Sequence, residues 1–137
     1  GAFDFGRMEG QVSGWVRGLR LLDWRPVAMD ARLFTHDDVP RRRISQRAVD
    51  NLSSLGGGGG ALMTGTVLSV FEDFPYQRAG LACRLANNIC HLDGVAAHES
   101  GGFYIVEGRG LPRLDVIGHR RLVDWPLMLR QLESIAQ

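Results

Sequence analysis

From Met8 to Leu22 apolar and small residues alternate with polar ones: Val12, Gly14, Val16 and Gly18 fall on one side, Gln11, Ser13 and Arg17 on the other, with Trp15 interrupting. A period of two predicts a strand. Asp23-Trp24-Arg25-Pro26 reads as a turn, because Pro26 has no N–H for a ladder and drives Arg25 out of helical geometry. Val27 to Phe34 alternates again, with Val27, Met29, Ala31 and Leu33 facing one way and Ala28, Asp30 and Arg32 the other. The two runs predict a long antiparallel pair. Gly10, Gly14 and Gly18 weaken the first strand and predict curvature, a bulge or close approach of another layer.

After a polar connection, Thr35 to Pro40, the period changes. Ile44, Ala48, Val49, Leu52 and Leu55 recur at helical spacing, with Gln46, Arg47, Asp50 and Ser53 opposite, predicting an amphipathic helix of about three turns. Gly56 falls where a left-handed C-cap belongs, and four more glycines follow that cannot prolong a helix without a large entropy cost. Leu62, Val67, Val70, Phe71 and Phe74 predict a second helix from Ala61 to about Asp73, ended by Pro75. The glycine run then acts as a hinge, and Ile44, Val49, Leu52, Leu55, Leu62, Val70 and Phe71 are expected to face a curved sheet.

Tyr76 to Leu85 and Ile89 to Val95 flank Asn87-Asn88, a pair tolerant of the positive φ of hairpin turns. Phe103 to Glu107 and Leu114 to Ile117 are two further short strands. The last helix has Asp124 as N-cap, Pro126 in its first turn and an apolar stripe of Trp125, Met128, Leu129, Leu132 and Ile135. Strands grouped rather than alternating with helices predict an α+β fold: a curved antiparallel sheet of about six strands, two central helices and one C-terminal helix. The expected organisation is one domain or a fragment of a longer protein: strand pair 1–34, helical insert 41–74, antiparallel strands 76–118 and C-terminal helix 124–136.

Composition narrows the function classes. With 137 residues, 45% hydrophobic and 23% charged, the chain can bury a core without staples. Its net charge of +1 argues against a general nucleic-acid surface. All 16 basic residues are arginine, a pattern that GC-rich codon usage produces and that also supplies forked donors for phosphate or carboxylate. No run of eighteen apolar residues and no export signal is read in these residues.

Cys83 and Cys90 sit on opposite arms of the Asn87-Asn88 hairpin. A four-residue loop, Leu85 to Asn88, places them directly across from each other; a two-residue turn makes them diagonal, which is expected to be too far for an unstrained bridge. A cross-strand disulfide is the simpler reading, two unrelated buried thiols the alternative; a metal needs four ligands, and only His91 lies beside them. A disulfide would imply an oxidising compartment.

No constellation announces a reaction. The five-glycine run lacks the lysine of GxxxxGK(S/T) and follows a helix, so it reads as a linker and not a phosphate loop. His36, His91, His98 and His119 have no metal-ligand spacing, and Ser45 and Ser53 lack a nucleophile elbow. Asp93, Glu99, Glu107, Asp115 and Asp124 each fit the polar side of a strand, a loop or a cap. The expectation is no enzyme, no cofactor and no metal. Arg41-Arg42-Arg43 with Arg47 suits phosphate, and Asn51 to Gly56 resembles the (D/N)xSxxG element of PilZ cyclic-dinucleotide receptors, although here both elements are expected on one helix. An anionic-nucleotide sensor in the cytosol is therefore one alternative.

Four stretches carry a broader resemblance: EGQVSGWVRGLRLLDWRPVAMDARL (Glu9 to Leu33), ISQRAVDNLSSLGGGGGAL (Ile44 to Leu62), FEDFPYQRAGLACRLANNICHLDGV (Phe71 to Val95) and GGFYIVEGRGLPRLDVIGHRRLVDWPLMLRQL (Gly101 to Leu132). Together they resemble the C-terminal region of large AsmA-like, bridge-like lipid-transfer envelope proteins of Gram-negative bacteria. The resemblance implies a periplasmic module at the end of an apolar β-groove that carries phospholipid toward the outer membrane, within a full-length protein anchored in the inner membrane. It implies Val12, Val16, Val27, Met29 and Leu33 as groove lining for acyl chains. The implied partners are phospholipid, an outer-membrane or periplasmic protein and the upstream part of its own chain, with no nucleic acid. The same apolar residues equally suit a small closed core. A third expectation, independent of lipid, is a structural domain whose first strand pairs with another chain by β-augmentation.

Overall fold

The computed structural model describes residues 8–56, 73–111 and 113–136. The elements are β1 (Met8–Glu9), β2 (Val12–Leu22), β3 (Arg25–Thr35), β4 (Arg43–Ser45), α1 (Gln46–Leu55), β5 (Asp73–Ala86), β6 (Ile89–Asp93), β7 (Ala96–Ala97), β8 (Phe103–Gly108), β9 (Val116–Gly118), β10 (Leu122–Asp124) and α2 (Trp125–Ala136). The fold is mixed, mostly antiparallel sheet with two helices. Among the described residues the sheet has ten strands and not about six. The extra ones, β1, β4, β7 and β10, are two or three residues long. Such runs are too short for a two-residue period to register.

β5 is the strand the others pair to. Its first three residues pair with β4, Tyr76 to Ala79 with β8, and its second half with β3 on one side and β6 on the other. Against β8 the register slips between Tyr76 and Arg78. The buried positions accordingly change parity, from Phe74 and Tyr76 to Ala79, Cys83 and Leu85. A bulge of this kind re-aims a strand without ending it. Pro75 does not end a helix as expected; it lies inside β5 opposite Arg43. The Thr35 hydroxyl accepts from the Ala79 N–H at 2.9 Å and donates to the Ala79 carbonyl at 3.1 Å, which prolongs the β3–β5 contact by a side chain.

α1 starts at Gln46, so Ile44 belongs to β4 and is buried there, paired with Phe74. Ser45 is the N-cap, its hydroxyl accepting from Ala48 N–H at 3.2 Å. A side-chain cap satisfies a donor that the helix cannot. Val49 and Leu55 are buried, and Leu52 packs half-buried on the core. The helix packs on β8, β9 and α2. Leu62, Val70, Phe71 and most of the second expected helix lie outside the described residues; its expected end, Asp73 and Phe74, is strand β5, paired with β4. At the other end of the chain Asp124 Oδ2 accepts from Leu127 N–H at 3.0 Å, as its capping role requires.

The core comprises Phe74, Tyr76 and Leu85 from β5, Phe103, Ile105 and Val106 from β8, Val116 from β9, Ala48, Val49 and Leu55 from α1, and Trp125 and Met128 from α2. Gly56 closes it for a reason other than the expected one. Its φ is −80°, not left-handed. A Cβ there would stand 2.6 Å from Ile105 Cδ1 and 3.1 Å from Gly118 Cα, so the glycine supplies space where α1 meets β8 and β9. Its carbonyl accepts from the His119 and Arg120 N–H groups. Gly56→Ala is expected to cost about 1–3 kcal/mol by overpacking. Urea unfolding of the two proteins measures it, and equal midpoints would show that the contact relaxes freely.

Candidate functional site

Directly paired residues of an antiparallel sheet share a face. Three rows of side chains therefore cross one face of the sheet. They run Gly14–Leu33–Leu81, Val16–Ala31–Cys83–Leu92, and Met29–Leu85–Cys90–Val123. Val12, opposite Thr35, begins the same face on β2. Along the second row burial rises inward: Val16 is 58% exposed, Cys83 9% and Leu92 2%. The apolar surface is thus sealed over β5 and β6 and uncovered over the β2–β3 hairpin. Val12 and Leu33 are 50% and 59% exposed, whereas Val27 and Met29 are half-buried. The five groove candidates read from the sequence are all on this hairpin.

The opposite face mixes polar and aromatic residues. Ser13 pairs Phe34, Trp15 pairs Arg32 and Arg17 pairs Asp30. The Arg17 guanidinium lies 4.0 Å over the Trp15 ring, so the tryptophan that broke the alternation serves as a cation platform on this side. Gly14 is required by its partner: a Cβ would stand 2.5 Å from Leu33 Cδ2 and 2.8 Å from the Arg32 carbonyl. Gly18 adopts φ +61° within the irregular stretch between Arg17 and Arg20. Of the features expected of these glycines, a bulge is present next to Gly18, and the close approach at Gly14 comes from the paired strand and not from another layer.

β2 is the last strand of its sheet path, after β1, β4, β5 and β3. One edge of it is open among the described residues, and an unpaired edge is a template for another strand. The hairpin tip falls within the expected turn. Asp23 and Trp24 form the turn with φ of 52° and 62°, and Trp24 is 89% exposed beside exposed Leu21 and Leu22. The turn itself is tighter than the four residues expected, since Leu22 already pairs Arg25. A bulky residue in the left-handed region, exposed at a turn, is the signal that could have marked the tip.

Cys83 and Cys90 stand at disulfide distance, their Cα atoms 5.5 Å apart. The expected geometry is corrected: Asn87 and Asn88 form a two-residue turn with φ of 52° and 63°, and the cysteines are diagonal, with Cys83 opposite Leu92 and Cys90 opposite Leu85. Strand twist brings one diagonal of a hairpin closer than a flat ladder does. The bridge lies within the sealed part of the apolar face.

The other polar candidates have structural partners or stand apart. Glu107 takes Arg78 at 2.7 Å, Asp115 takes Arg113 and the Gly108 N–H, and Asp93 accepts from the Gly94 N–H at 2.8 Å. His36 contacts Ser13 Oγ at 2.6 Å and His98 contacts Ser100 Oγ at 2.7 Å, while His91 and His119 are exposed elsewhere. Among the described residues no group of three potential ligands gathers for a metal, and no helix is long and apolar enough to cross a membrane. The PilZ-like elements are not on one helix: Arg41 to Arg43 precede it, and Ser53 is buried within it at 1% exposure.

No protein-family model matches the chain, and comparison with curated proteins and with solved structures finds no match either.

An eight-residue disulfide loop stabilises by about 2 kcal/mol in the chain-entropy picture. Unreduced protein should therefore resist alkylation at Cys83 and Cys90 and lose about that much stability in dithiothreitol. Two reactive thiols in unreduced material would contradict it.

Proposed function

We propose that the chain is a non-enzymatic periplasmic module at the end of a lipid-conducting β-groove, as its resemblance to AsmA-like envelope proteins implies. The observation that supports this reading most is the half-exposed apolar face of the β2–β3 hairpin, continuous with the core at β5 and, among the described residues, open at the edge of β2. In this reading an upstream strand of the same protein pairs with β2 and extends the sheet. Acyl chains then lie along Val12, Val16 and Leu33, with Val27 and Met29 beneath.

Dimensions and energies are consistent with passage. Eleven residues in β2 at about 3.3 Å each give a strip of roughly 36 Å. That exceeds the roughly 15 Å spanned by the tails of one leaflet, half of a hydrocarbon core of about 30 Å. Covering the exposed half of each of three aliphatic side chains contributes about 1 kcal/mol apiece. Such a sum corresponds to a dissociation constant of several millimolar, a hold that lets lipid move on. The full-length protein would be anchored in the inner membrane, and an outer-membrane or periplasmic protein would receive the lipid.

β-Augmentation by an unrelated partner is a second reading, favoured by the open edge alone. A photoreactive residue placed at Val16 in the full-length protein in cells separates the two. Phospholipid adducts at Val16 and none at Arg17, on the other face, are the expected outcome. Protein adducts without lipid at Val16 would favour augmentation, and labelling equal at both positions would sink the groove.

A further inference from the structure

We propose that the cleft between β4 and the β8–β9 connection is a binding site for a phosphate group, carried by a soluble ester or by a lipid headgroup. The cleft has a volume of about 320 Å³ and is lined by Pro40, Arg41, Arg42, Arg43, Pro75 and Arg109. Arg43 and Pro75 pair across β4 and β5 and face away from the side on which Ile44 and Phe74 enter the core. The site is therefore distinct from the apolar strip, and its existence does not depend on the groove.

Four arginines line the cleft with unequal compensation. Arg43 Nε donates to Asp73 Oδ1 at 2.6 Å, and Arg41 pairs with Glu9. Arg42 and Arg109 instead donate to backbone carbonyls, those of Asp37 at 2.6 Å and Pro40 at 2.8 Å. Neither has a carboxylate partner among the described residues, so two positive charges stand uncompensated. Arg42 is only 7% exposed, and its Nε is sealed with no hydrogen-bond partner among the described residues. Arginine is almost never buried to this degree unless paired, and Arg42 has one backbone carbonyl and no carboxylate against its charge among the described residues.

Tyr76 lies near two of these charges. Burial raises the pKa of its phenol, and the charges of Arg42 and Arg109 both act to lower it. Both cations are therefore close to the same buried phenol. A guanidinium offers five N–H donors in a planar fork that matches phosphate oxygens, and Arg42 and Arg109 each spend few of theirs on the protein. The volume sits at the low end for ligand sites. It suits a phosphate with a small substituent and not a whole dinucleotide. The structure also changes which arginines matter: Arg47 lies on α1, exposed, while Arg109, sixty-two positions further on (109 − 47), completes the cleft.

The test is calorimetric titration with inorganic phosphate against chloride at equal ionic strength, alongside flotation with phosphatidylcholine vesicles that do or do not contain phosphatidic acid. Binding should weaken about tenfold or more in Arg109→Gln, the loss of a charge-assisted hydrogen bond. It should be retained in Arg113→Gln, which removes the same charge outside the cleft. Arg41→Gln, at the exposed lip, should fold in any event and weaken binding by a smaller factor. A response to free phosphate assigns a soluble ester; a response only to phosphatidic acid assigns a headgroup. Absence of both responses, or equal losses in Arg109→Gln and Arg113→Gln, would overturn the site.

Discussion

The structure depends on one strand being able to hydrogen-bond four others along its length. β5 pairs directly with β3, β4, β6 and β8, and each remaining strand reaches it through one of these. Its fourteen residues can do this because the bulge around Gln77 lets the apolar side chains change parity and stay on one face. Without the slip, either Phe74 and Tyr76 or Cys83 and Leu85 would point to solvent. Packing of both helices follows from that choice, since the core they close is built on the face that the slip preserves.

The sheet is covered unequally, and that inequality carries the functional reading. Side chains from α1 and α2 enter the core with β5, β8 and β9, where burial is nearly complete. The β2–β3 hairpin bears the same apolar pattern and keeps it half exposed. Hydrophobic side chains scattered singly on a surface need no explanation; a row of them continuous with a core and ending at a strand edge that is open among the described residues is what the proposed groove rests on. The opposite face of the hairpin, with Arg17 stacked on Trp15, fixes which side is available.

Charge is arranged on a different principle. The sequence distributes its arginines along the chain, and some find a carboxylate across the sheet, as Arg78 does with Glu107 and Arg43 with Asp73. Exposed pairs of this kind add little stability. They leave Arg42 and Arg109 as the cations of the cleft that are satisfied by backbone carbonyls. A net charge of +1 for the whole chain therefore coexists with a locally cationic cleft.

The long strands, the Asn87-Asn88 turn, the cysteine pairing and the cap at Asp124 were legible because each depends on neighbours in sequence: alternation, a tolerated φ, a short loop, a side chain reaching its own helix. The groove candidates Val12, Val16, Val27, Met29 and Leu33 were legible as one face for the same reason. Ile44, Pro75 and Gly56 were misassigned because their states are set from outside. Ile44 and Pro75 are strand residues only where β4 and β5 meet, and Gly56 is needed only where Ile105 and Gly118 press against it. Arg109 could not be joined to Arg42 from spacing, since pairing between distant segments creates the cleft. Sequence by itself thus determined which side chains share a face, a local property of backbone period. Tertiary structure alone decided which part of that face is covered, because burial depends on what long-range pairing brings against it.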